Sequence, residues 1–228
     1  MRRFAPWTEY RGVTLHRHPS GAYHYTTGHM ALDADGSLFA YHPDNLGRDD
    51  LRFASWPSGE EDWRWILVAD PADPSRPWVQ PDGPARGYFL SMTTLRDPLG
   101  APTCPATYVD SATIPYLVFP ADYLKIGGTG GFGDLAMARN LASGDESWAV
   151  AADQGPAPHP LGEVSLALAE ALGGKDPDPR NGTGIPAGPY QYMVFPGSRL
   201  DPPWPQAADA LRRRAEALFA GVGGWPSA

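Results

Sequence analysis

The sequence predicts a mainly β chain that folds as a compact β-barrel with peripheral helices. Runs rich in β-branched and aromatic residues are short, and each ends at residues that favour turns. Glycine and proline each occur 26 times among the 228 residues, interleaved with tryptophan, tyrosine and valine. This interleaving is typical of short strands joined by tight turns. Helical periodicity is confined to two segments that do not alternate with the strands, which argues against a doubly wound parallel sheet.

The N-terminal third is predicted to contain a β-hairpin. Residues 23–27 and 30–32 have the composition of short strands. The segment "DADG" at 33–36 predicts a turn, because aspartate tolerates locally hydrogen-bonded conformations and Gly36 can adopt a positive φ. The segment "SLFAYHP" that follows is therefore expected to return as the second strand of the hairpin.

Further strands are expected along the rest of the chain. The proline-rich stretch "ADPSRPWVQPDGPARG" predicts a surface loop of about 16 residues, a length that is commonly functional or disordered. The segments "LAMARN" and "SWAVAAD" flank the turn "LASGDE" and are expected to pair with each other. The remaining predicted strands are "WRWILVADP", "GYFLSMTTL", "TIPYLVFP" and "GPYQYMVFPGS".

Two helices are expected outside the barrel. The first runs from about 162 to 172 and is followed by Gly173, which suits the left-handed position at a helix C-terminus. The second runs from about 205 to 219, where Leu211 and Ala215 lie one turn apart on an apolar face. No segment contains the roughly 18 consecutive apolar residues that a membrane helix needs.

Charge and cysteine content exclude several classes of function. The net charge is −8, whereas a protein that binds nucleic acid is normally basic. An acidic surface instead suits a cationic ligand, although it also serves solubility. The single cysteine, Cys104, excludes an intrachain disulfide framework and a cysteine-rich zinc site.

No metal site and no cofactor are expected. Asp33 and Asp35 suggest a calcium loop, but the local pattern lacks the third acidic ligand and the distal glutamate of an EF-hand. The glycine-rich stretch "GGTGGFGD" lacks the lysine and serine or threonine of a phosphate-binding loop. The glycines are instead expected to let the backbone bend sharply and pass close to a neighbouring strand.

The segment "WAVAADQGPAPHPLGEVSLALAEALGG" places two carboxylates on either side of a rigid bend. Asp153 closes an apolar strand and Glu163 begins a helix-like run. Three prolines between them restrict the backbone and would hold the two groups at a defined separation. Such a pair suits glycoside hydrolysis, which needs one carboxyl group as acid and one as base or nucleophile. The alternative is structural, with Glu163 favoured by the helix dipole and Asp153 in a turn.

Several stretches together resemble the chitosanases of glycoside hydrolase family 75. They cover roughly residues 23–200, and their order and joint presence carry the resemblance more than any single piece. In the acidic segment, Val164 stands where the family usually has a glycine. The matching stretches are "TGHMALDADGSLFAYHPD", "GYFLSMTTLRD", "YVDSATIPYLVFP", "GDLAMARN", "ADQGPAPHPLGEVSLALAEALG" and "YMVFPGS".

The resemblance implies endo-hydrolysis of chitosan, a β-1,4-linked glucosamine polymer, with inversion at the anomeric carbon. It implies a six-stranded double-psi β-barrel with peripheral helices, and it aligns Asp153 and Glu163 with the essential acidic pair of the family. One domain is expected over 1–228, with the barrel core at about 23–200. The protein is further expected to be a secreted monomer without a membrane or nucleic-acid partner.

The ammonium groups of glucosamine would be attracted by carboxylates and aromatic rings in a groove. Candidate substrate-binding residues in the matching stretches are Asp33, Asp35, Tyr41, His42, Asp110 and Trp148.

The acid and base roles stay open at this point. A helix N-terminus would favour ionised Glu163 as the base, and desolvation at the end of a strand would make Asp153 the acid. The intrinsic pKa order of glutamate and aspartate points the other way. Two further functions compete: a non-catalytic carbohydrate-binding barrel, and a hydrolase of another polysaccharide.

Overall fold

The computed structural model describes residues 4–59 and 62–226. These residues form eleven strands, two α-helices and three short 3-10 helices. The α-helices are α1 (Leu166–Ala171) and α2 (Ala208–Gly221), and the 3-10 helices are Trp63–Trp65, Pro105–Thr107 and Tyr123–Lys125. The strands are β1 (Ala5–Tyr10), β2 (Val13–Arg17), β3 (Tyr23–Thr27), β4 (Ala31–Asp33), β5 (Ala69–Asp70), β6 (Asp73–Pro77), β7 (Tyr116–Pro120), β8 (Leu135–Asn140), β9 (Glu146–Gly155), β10 (Glu163–Ser165) and β11 (Tyr190–Phe195).

Nine of the strands form one sheet in the order β1-β2-β3-β11-β8-β9-β7-β10-β4, and β5 and β6 form a separate ladder. The pairs β7·β9 and β4·β10 are parallel, and the other pairs in the large sheet are antiparallel. Within the described residues, β1 and β4 stand at the two ends of this order, and no ladder closes it into a ring. The prediction of a mainly β chain with few helices is confirmed at this level.

The central strands are buried on both faces. In β9, Ala149 and Ala151 belong to one apolar cluster, while Val150 and Ala152 belong to another. Helix α1 packs into the first cluster through residues that include Leu168. Helix α2 covers the second cluster, to which it contributes Leu211 and Ala215. Because both faces are covered, the central strands have continuous apolar sequences instead of alternating ones.

Five of the predicted strand segments are confirmed in sequence position, and the predicted pairing of two of them is confirmed as well. Residues 23–27 form β3, and "TIPYLVFP" contains β7. The segments "LAMARN" and "SWAVAAD" are β8 and β9, which pair in antiparallel fashion as expected. The segment "GPYQYMVFPGS" contains β11, which lies between β3 and β8.

The predicted hairpin around the turn at 33–36 is wrong. Strand β4 forms, but "SLFAYHP" folds as successive turns and contributes only an isolated bridge between Tyr41 and Phe89. The segment "WRWILVADP" likewise begins as the 3-10 helix Trp63–Trp65. Tyr41, Trp63 and Phe89 are buried in a separate apolar cluster. Strand propensity measures how well a side chain fits a half-buried surface. Tyr41, Trp63 and Phe89 are buried here without forming a regular strand ladder.

The first predicted helix begins later than expected. Residues 163–165 form strand β10, and α1 starts after Ser165, whose Oγ accepts a hydrogen bond from the Leu168 N–H at 3.1 Å. Glu163 therefore lies in a strand between β7 and β4 and not at a helix N-terminus. The predicted C-terminus is confirmed, because Gly173 follows the helix with φ +99°. The second predicted helix, at 205–219, is observed as Ala208–Gly221.

No helix in residues 4–59 and 62–226 combines the length and the apolar character needed to span a bilayer.

Gly162 fixes the backbone immediately before β10. Its carbonyl oxygen accepts a hydrogen bond from the Ala31 N–H at 3.1 Å, and its φ is +121°. A Cβ at this position would overlap the backbone carbonyl oxygen of His29. By contrast, Gly12 in the β1–β2 turn also has a positive φ, +80°, but a Cβ there would meet no atom within 4 Å.

We expect Gly162→Ala to destabilise the protein more than Gly12→Ala. Gly12→Ala introduces left-handed backbone strain of about 1–2 kcal/mol. Gly162→Ala adds the steric overlap with His29, for which overpacking suggests a further ~1–3 kcal/mol. Urea unfolding of both variants measures the two free energies of unfolding, and equal losses would contradict the steric role of Gly162.

Candidate active site

A groove of about 1310 Å³ opens beside strands β4, β7, β9 and β10. The expected pair, Asp153 and Glu163, both line it. Three of the candidate binding residues, Asp33, Asp35 and Tyr41, line it as well. The structure therefore brings together residues that lie more than a hundred positions apart in the sequence.

The sheet sets the spacing of the two principal carboxylates. Val118 of β7 pairs with Asp153 of β9 on one side and with Glu163 of β10 on the other. Adjacent strands lie about 4.8 Å apart, so the backbones of Asp153 and Glu163 are separated by about 9.6 Å. Glu163 also pairs with Ala31 of β4, which extends the same row across a fourth strand.

A β-bulge determines which residue of β9 enters this row. Leu117 pairs with Ala151, but the next residue, Val118, pairs with Asp153, so Ala152 is the extra residue. The carbonyl oxygen of Ala152 accepts a hydrogen bond from the Leu95 N–H at 2.8 Å. Without the bulge, the apolar Ala152 would lie opposite Val118. The bulge therefore places a carboxylate beside the groove, a common role of bulges near functional sites.

The Asp153 carboxylate is buried and firmly held. Its Oδ1 accepts hydrogen bonds from the Thr94 hydroxyl at 2.7 Å, the Thr94 N–H at 3.0 Å and the Gln154 N–H at 2.7 Å. The residue is 7% exposed. Donors that point at a carboxylate favour its ionised form, which partly offsets the cost of burying the charge.

The Glu163 carboxylate has a different environment. No described residue donates a hydrogen bond to it, and its side chain keeps 19% exposure toward the groove. The nearest nitrogen of a basic side chain is His159 Nδ1, at 3.8 Å from Oε2. A Cβ on Gly155 would lie 2.8 Å from Oε2, so the absence of a side chain at Gly155 leaves the space that this carboxylate uses.

The last residue of β4, Asp33, and the loop that follows it carry two more groove carboxylates. Asp33 Oδ1 accepts a hydrogen bond from the Asp35 N–H at 2.8 Å. The Asp35 carbonyl accepts one from the Tyr116 hydroxyl at 3.1 Å, and the Gly36 N–H donates to Ser91 Oγ at 3.0 Å. Gly36 has φ +74° and lies directly against the Val109 backbone, so this tight turn requires glycine.

The exposed Asp62 also lines the groove and was not a sequence candidate. Neither was a further groove carboxylate, Asp49. Its Oδ2 accepts a hydrogen bond from the Tyr41 hydroxyl at 3.3 Å, and its Oδ1 accepts one from the Asp50 N–H at 2.7 Å. Asp49 lies in a segment of turns without a periodic pattern, so the sequence carried no signal for it. Thr94 was missed for the same reason, whereas His159 lies within the bend between the two predicted catalytic residues.

Burial raises the pKa of five of the six groove carboxyls, whereas a backbone hydrogen bond from Arg64 lowers the pKa of the sixth, the exposed Asp62. Desolvation, offset by hydrogen bonds, raises the pKa of Asp33 to about 6, and it raises the pKa of Asp49 and of Asp153 to about 7. Desolvation followed by the charges of neighbouring carboxylates raises the pKa of Asp35 and of Glu163 well above the usual range. Like charges in one buried site cannot all ionise together, so the groove retains protons near neutral pH.

Asp33, Asp35 and Asp153 are the described residues that could share a metal ion. Their carboxylate oxygens lie within 4.8 Å of one another, and hard divalent cations prefer oxygen ligands. The local sequence around Asp33 and Asp35 shows no third acidic ligand, because that ligand comes from β9, far along the chain. Acidic clusters of this kind also occur without a metal, and this one is part of the carboxylate groove.

Three candidate binding residues do not line the groove. His42 packs edge-to-face against Tyr88, with ring centroids 4.8 Å apart. Asp110 forms a local turn, in which its Oδ1 accepts a hydrogen bond from the Ala112 N–H at 2.9 Å. Trp148 packs against the apolar cluster beneath α2. A single sequence does not distinguish residues such as these, which pack or form turns, from residues that bind a ligand.

No family model matches the chain, and a search of curated proteins finds no match either.

The raised pKa values predict that stability falls as pH rises. Between the unfolded-state pKa of 3.8 and a folded-state pKa of about 7, the native Asp49 holds a proton that the unfolded chain has released. Its contribution is complete below pH 3.8 and is lost as pH rises through about 7. We expect Asp49→Asn to flatten the decline of the free energy of unfolding by at most ~1.4 kcal/mol per pH unit.

Urea unfolding between pH 4 and pH 8 measures this slope. Asp44→Asn is the matched control, because Asp44 lies in the same segment but its side chain is 81% exposed. An Asp49→Asn slope equal to that of the control would contradict the buried, protonated state of Asp49.

Proposed function

We propose that the protein is an endo-acting glycoside hydrolase that cleaves the β-1,4 glucosamine linkages of chitosan with inversion. The observation that carries the proposal is that Asp153 and Glu163 flank Val118 in one row of the sheet and line one groove. The resemblance to family 75 chitosanases supports the same pair independently, since it rests on sequence stretches alone.

The strand spacing supports inversion. Inverting enzymes place their carboxyl groups about 6.5–9.5 Å apart so that a water molecule fits, and retaining enzymes place them about 5–5.5 Å apart. The backbones of Asp153 and Glu163 are two strands apart, about 9.6 Å, which favours the wider carboxyl separation of inverting enzymes. In this proposal, water attacks the anomeric carbon from the side opposite the departing sugar.

The two environments support distinct roles. Glu163 has no hydrogen-bond donor among the described residues, and burial and neighbouring carboxylates raise its pKa well above the usual range, so it holds the proton that the leaving oxygen needs. Asp153 accepts three hydrogen bonds that favour its ionised form, which suits the base that activates water. The helix dipole no longer argues for Glu163 as the base, because Glu163 lies in β10. We assign Glu163 as the general acid and Asp153 as the general base.

The charge of the groove supports an amino-sugar substrate. Six carboxyl groups, those of Asp33, Asp35, Asp49, Asp62, Asp153 and Glu163, line the groove, against one guanidinium, that of Arg52. An ammonium group close to these carboxyls would favour their ionised forms and relieve their mutual repulsion. A neutral glycan would leave that repulsion in place, so glucosamine units fit the groove better than acetylated or neutral sugars.

The proposal also covers the type of barrel, the place where the protein acts and its oligomeric state. We infer that the strands around the groove form the double-psi barrel of these chitosanases, with two parallel pairs, β7·β9 and β4·β10, beside the site. Because chitosan is a long polymer, we also propose that the protein acts outside the cell, as a monomer, with the polysaccharide as its partner.

We expect wild-type protein to release reducing ends and shorter oligomers from soluble chitosan. Asp153→Asn and Glu163→Gln should each lower kcat by about 10²–10⁴, the usual contribution of a positioned acid or base. Binding of chitosan without cleavage by the wild type would favour the non-catalytic carbohydrate-binding alternative. Cleavage of cellulose or peptidoglycan in preference to chitosan would favour a hydrolase of another polysaccharide.

Asp110→Asn is the control for these amide variants, because Asp110 was a sequence candidate that lies outside the groove. It should retain wild-type activity. A second substrate separates the two roles: an aryl oligoglucosaminide, whose leaving group needs no protonation, should restore much of the activity of Glu163→Gln and none of that of Asp153→Asn. The reverse pattern would exchange the two roles.

We also expect Gly155→Ala to lower activity without unfolding the protein. The new Cβ would lie 2.8 Å from Glu163 Oε2 and would push this flexible side chain aside. The backbone need not change, since Gly155 does not have a positive φ. Chitosan hydrolysis should fall at least about tenfold, the loss typical of a displaced catalytic group, while the urea midpoint stays close to that of wild type. Unchanged hydrolysis would argue against a catalytic position for the Glu163 carboxylate.

A further inference from the structure

The 3-10 helix Trp63–Trp65 contains two tryptophans, one of which is buried and the other exposed. Trp63 is 7% exposed and packs edge-to-face against Trp56, with ring centroids 5.3 Å apart. Trp65 is 79% exposed and lines the groove. Burying the large indole would stabilise the fold, so core packing explains Trp63 but not Trp65.

Trp65 is the most accessible aromatic ring of the groove. Tyr41 also lines the groove but is 2% exposed and gives its hydroxyl to Asp49. Phe53 is 48% exposed, yet the Arg52 guanidinium covers its ring at 4.6 Å from the centroid. Across the described parts of the chain, no guanidinium and no other aromatic ring stacks on Trp65. Its face is therefore free to receive a ligand.

The different exposures place Trp65 at the mouth of the groove and the carboxylates at its floor. Asp33 is 8% exposed and Asp153 is 7% exposed, whereas Trp65 is 79% exposed. The two carboxylates therefore lie deeper in the groove than Trp65. A polymer whose cleaved bond reaches Asp153 and Glu163 must leave the floor to reach solvent. Trp65 lies on the groove surface that such an outgoing chain can contact.

An indole face suits a glucosamine unit for two physical reasons. The C–H face of a pyranose ring is apolar and can stack on an aromatic surface. The ammonium group is attracted by the negative face of the ring, and tryptophan is the strongest aromatic partner for a cation. The acidic groove strengthens this preference, because it raises the local concentration of cationic ligands.

We propose that Trp65 is a stacking platform that binds a glucosamine unit of the substrate outside the bond being cleaved. This proposal rests on the proposed function and extends it, since it gives the groove a binding position beyond the acidic pair. The platform adds affinity only for chains long enough to reach from the floor of the groove to its mouth.

The test measures binding in the Glu163→Gln background, in which oligomers should be cleaved about 10²–10⁴ times more slowly. Isothermal titration with glucosamine oligomers of two to eight units gives the dissociation constant Kd for each length. Adding Trp65→Ala should weaken binding of the longest oligomers about two- to fivefold, the range that corresponds to ~0.5–1 kcal/mol for an exposed cation–π contact. Binding of the dimer should stay unchanged, and Trp65→Tyr should restore part of the loss.

Phe39→Ala is the matched control, because Phe39 is an aromatic residue with 38% exposure that does not line the groove. It should leave every Kd unchanged. Oligomers of N-acetylglucosamine, which lack the ammonium group, should show a smaller change on loss of Trp65.

The three ways in which the proposal can fail are distinguishable. Equal affinities for long oligomers with and without Trp65, in a protein that cleaves chitosan, would overturn the platform alone. An equal loss for acetylated and free oligomers would overturn its selectivity for amino sugars. A wild-type protein that neither binds nor cleaves chitosan would overturn the proposed function and the platform together.

Discussion

The repulsion among five buried carboxyl groups is the constraint on which the groove depends. Burial and mutual charge disfavour simultaneous ionisation of all five groups, so the fold must hold them in place while some of them stay protonated. Thr94 and Gln154 supply donors to Asp153, and the Asp35 N–H supplies one to Asp33. The free-energy cost of burying these carboxyl groups is offset by packing elsewhere, as in the sheet whose central strands are buried on both faces.

Strand β7 acts as the spacer between the two principal acids. It pairs with β9 on one side and β10 on the other, so the separation of Asp153 and Glu163 is fixed by the inter-strand distance. A loop would not hold such a distance as well, because loops are more mobile than paired strands. The bulge at Ala152 brings Asp153 into register, and Gly155 leaves the space beside Glu163.

The same carboxylates link protonation to ligand binding. An ammonium group that enters the groove favours ionisation of its neighbours, so binding of a cationic polymer releases protons, and binding of a neutral one does not. The unequal surroundings of Asp153 and Glu163 then decide where the remaining proton stays. Repulsion among the carboxylates destabilises the empty groove, and a cationic chain lying along the groove would reduce that repulsion.

The sequence by itself determined the mainly β class, β3, the β8–β9 pair, the α1 C-terminus and the acidic pair around the proline-rich bend. These features depend on local composition and on turn residues, which a single sequence displays. Only the tertiary structure decided that Glu163 lies in a strand, that Asp49 and Thr94 belong to the groove, and that His42, Asp110 and Trp148 do not. These outcomes depend on pairing between distant segments and on a one-residue bulge, and no local pattern encodes either.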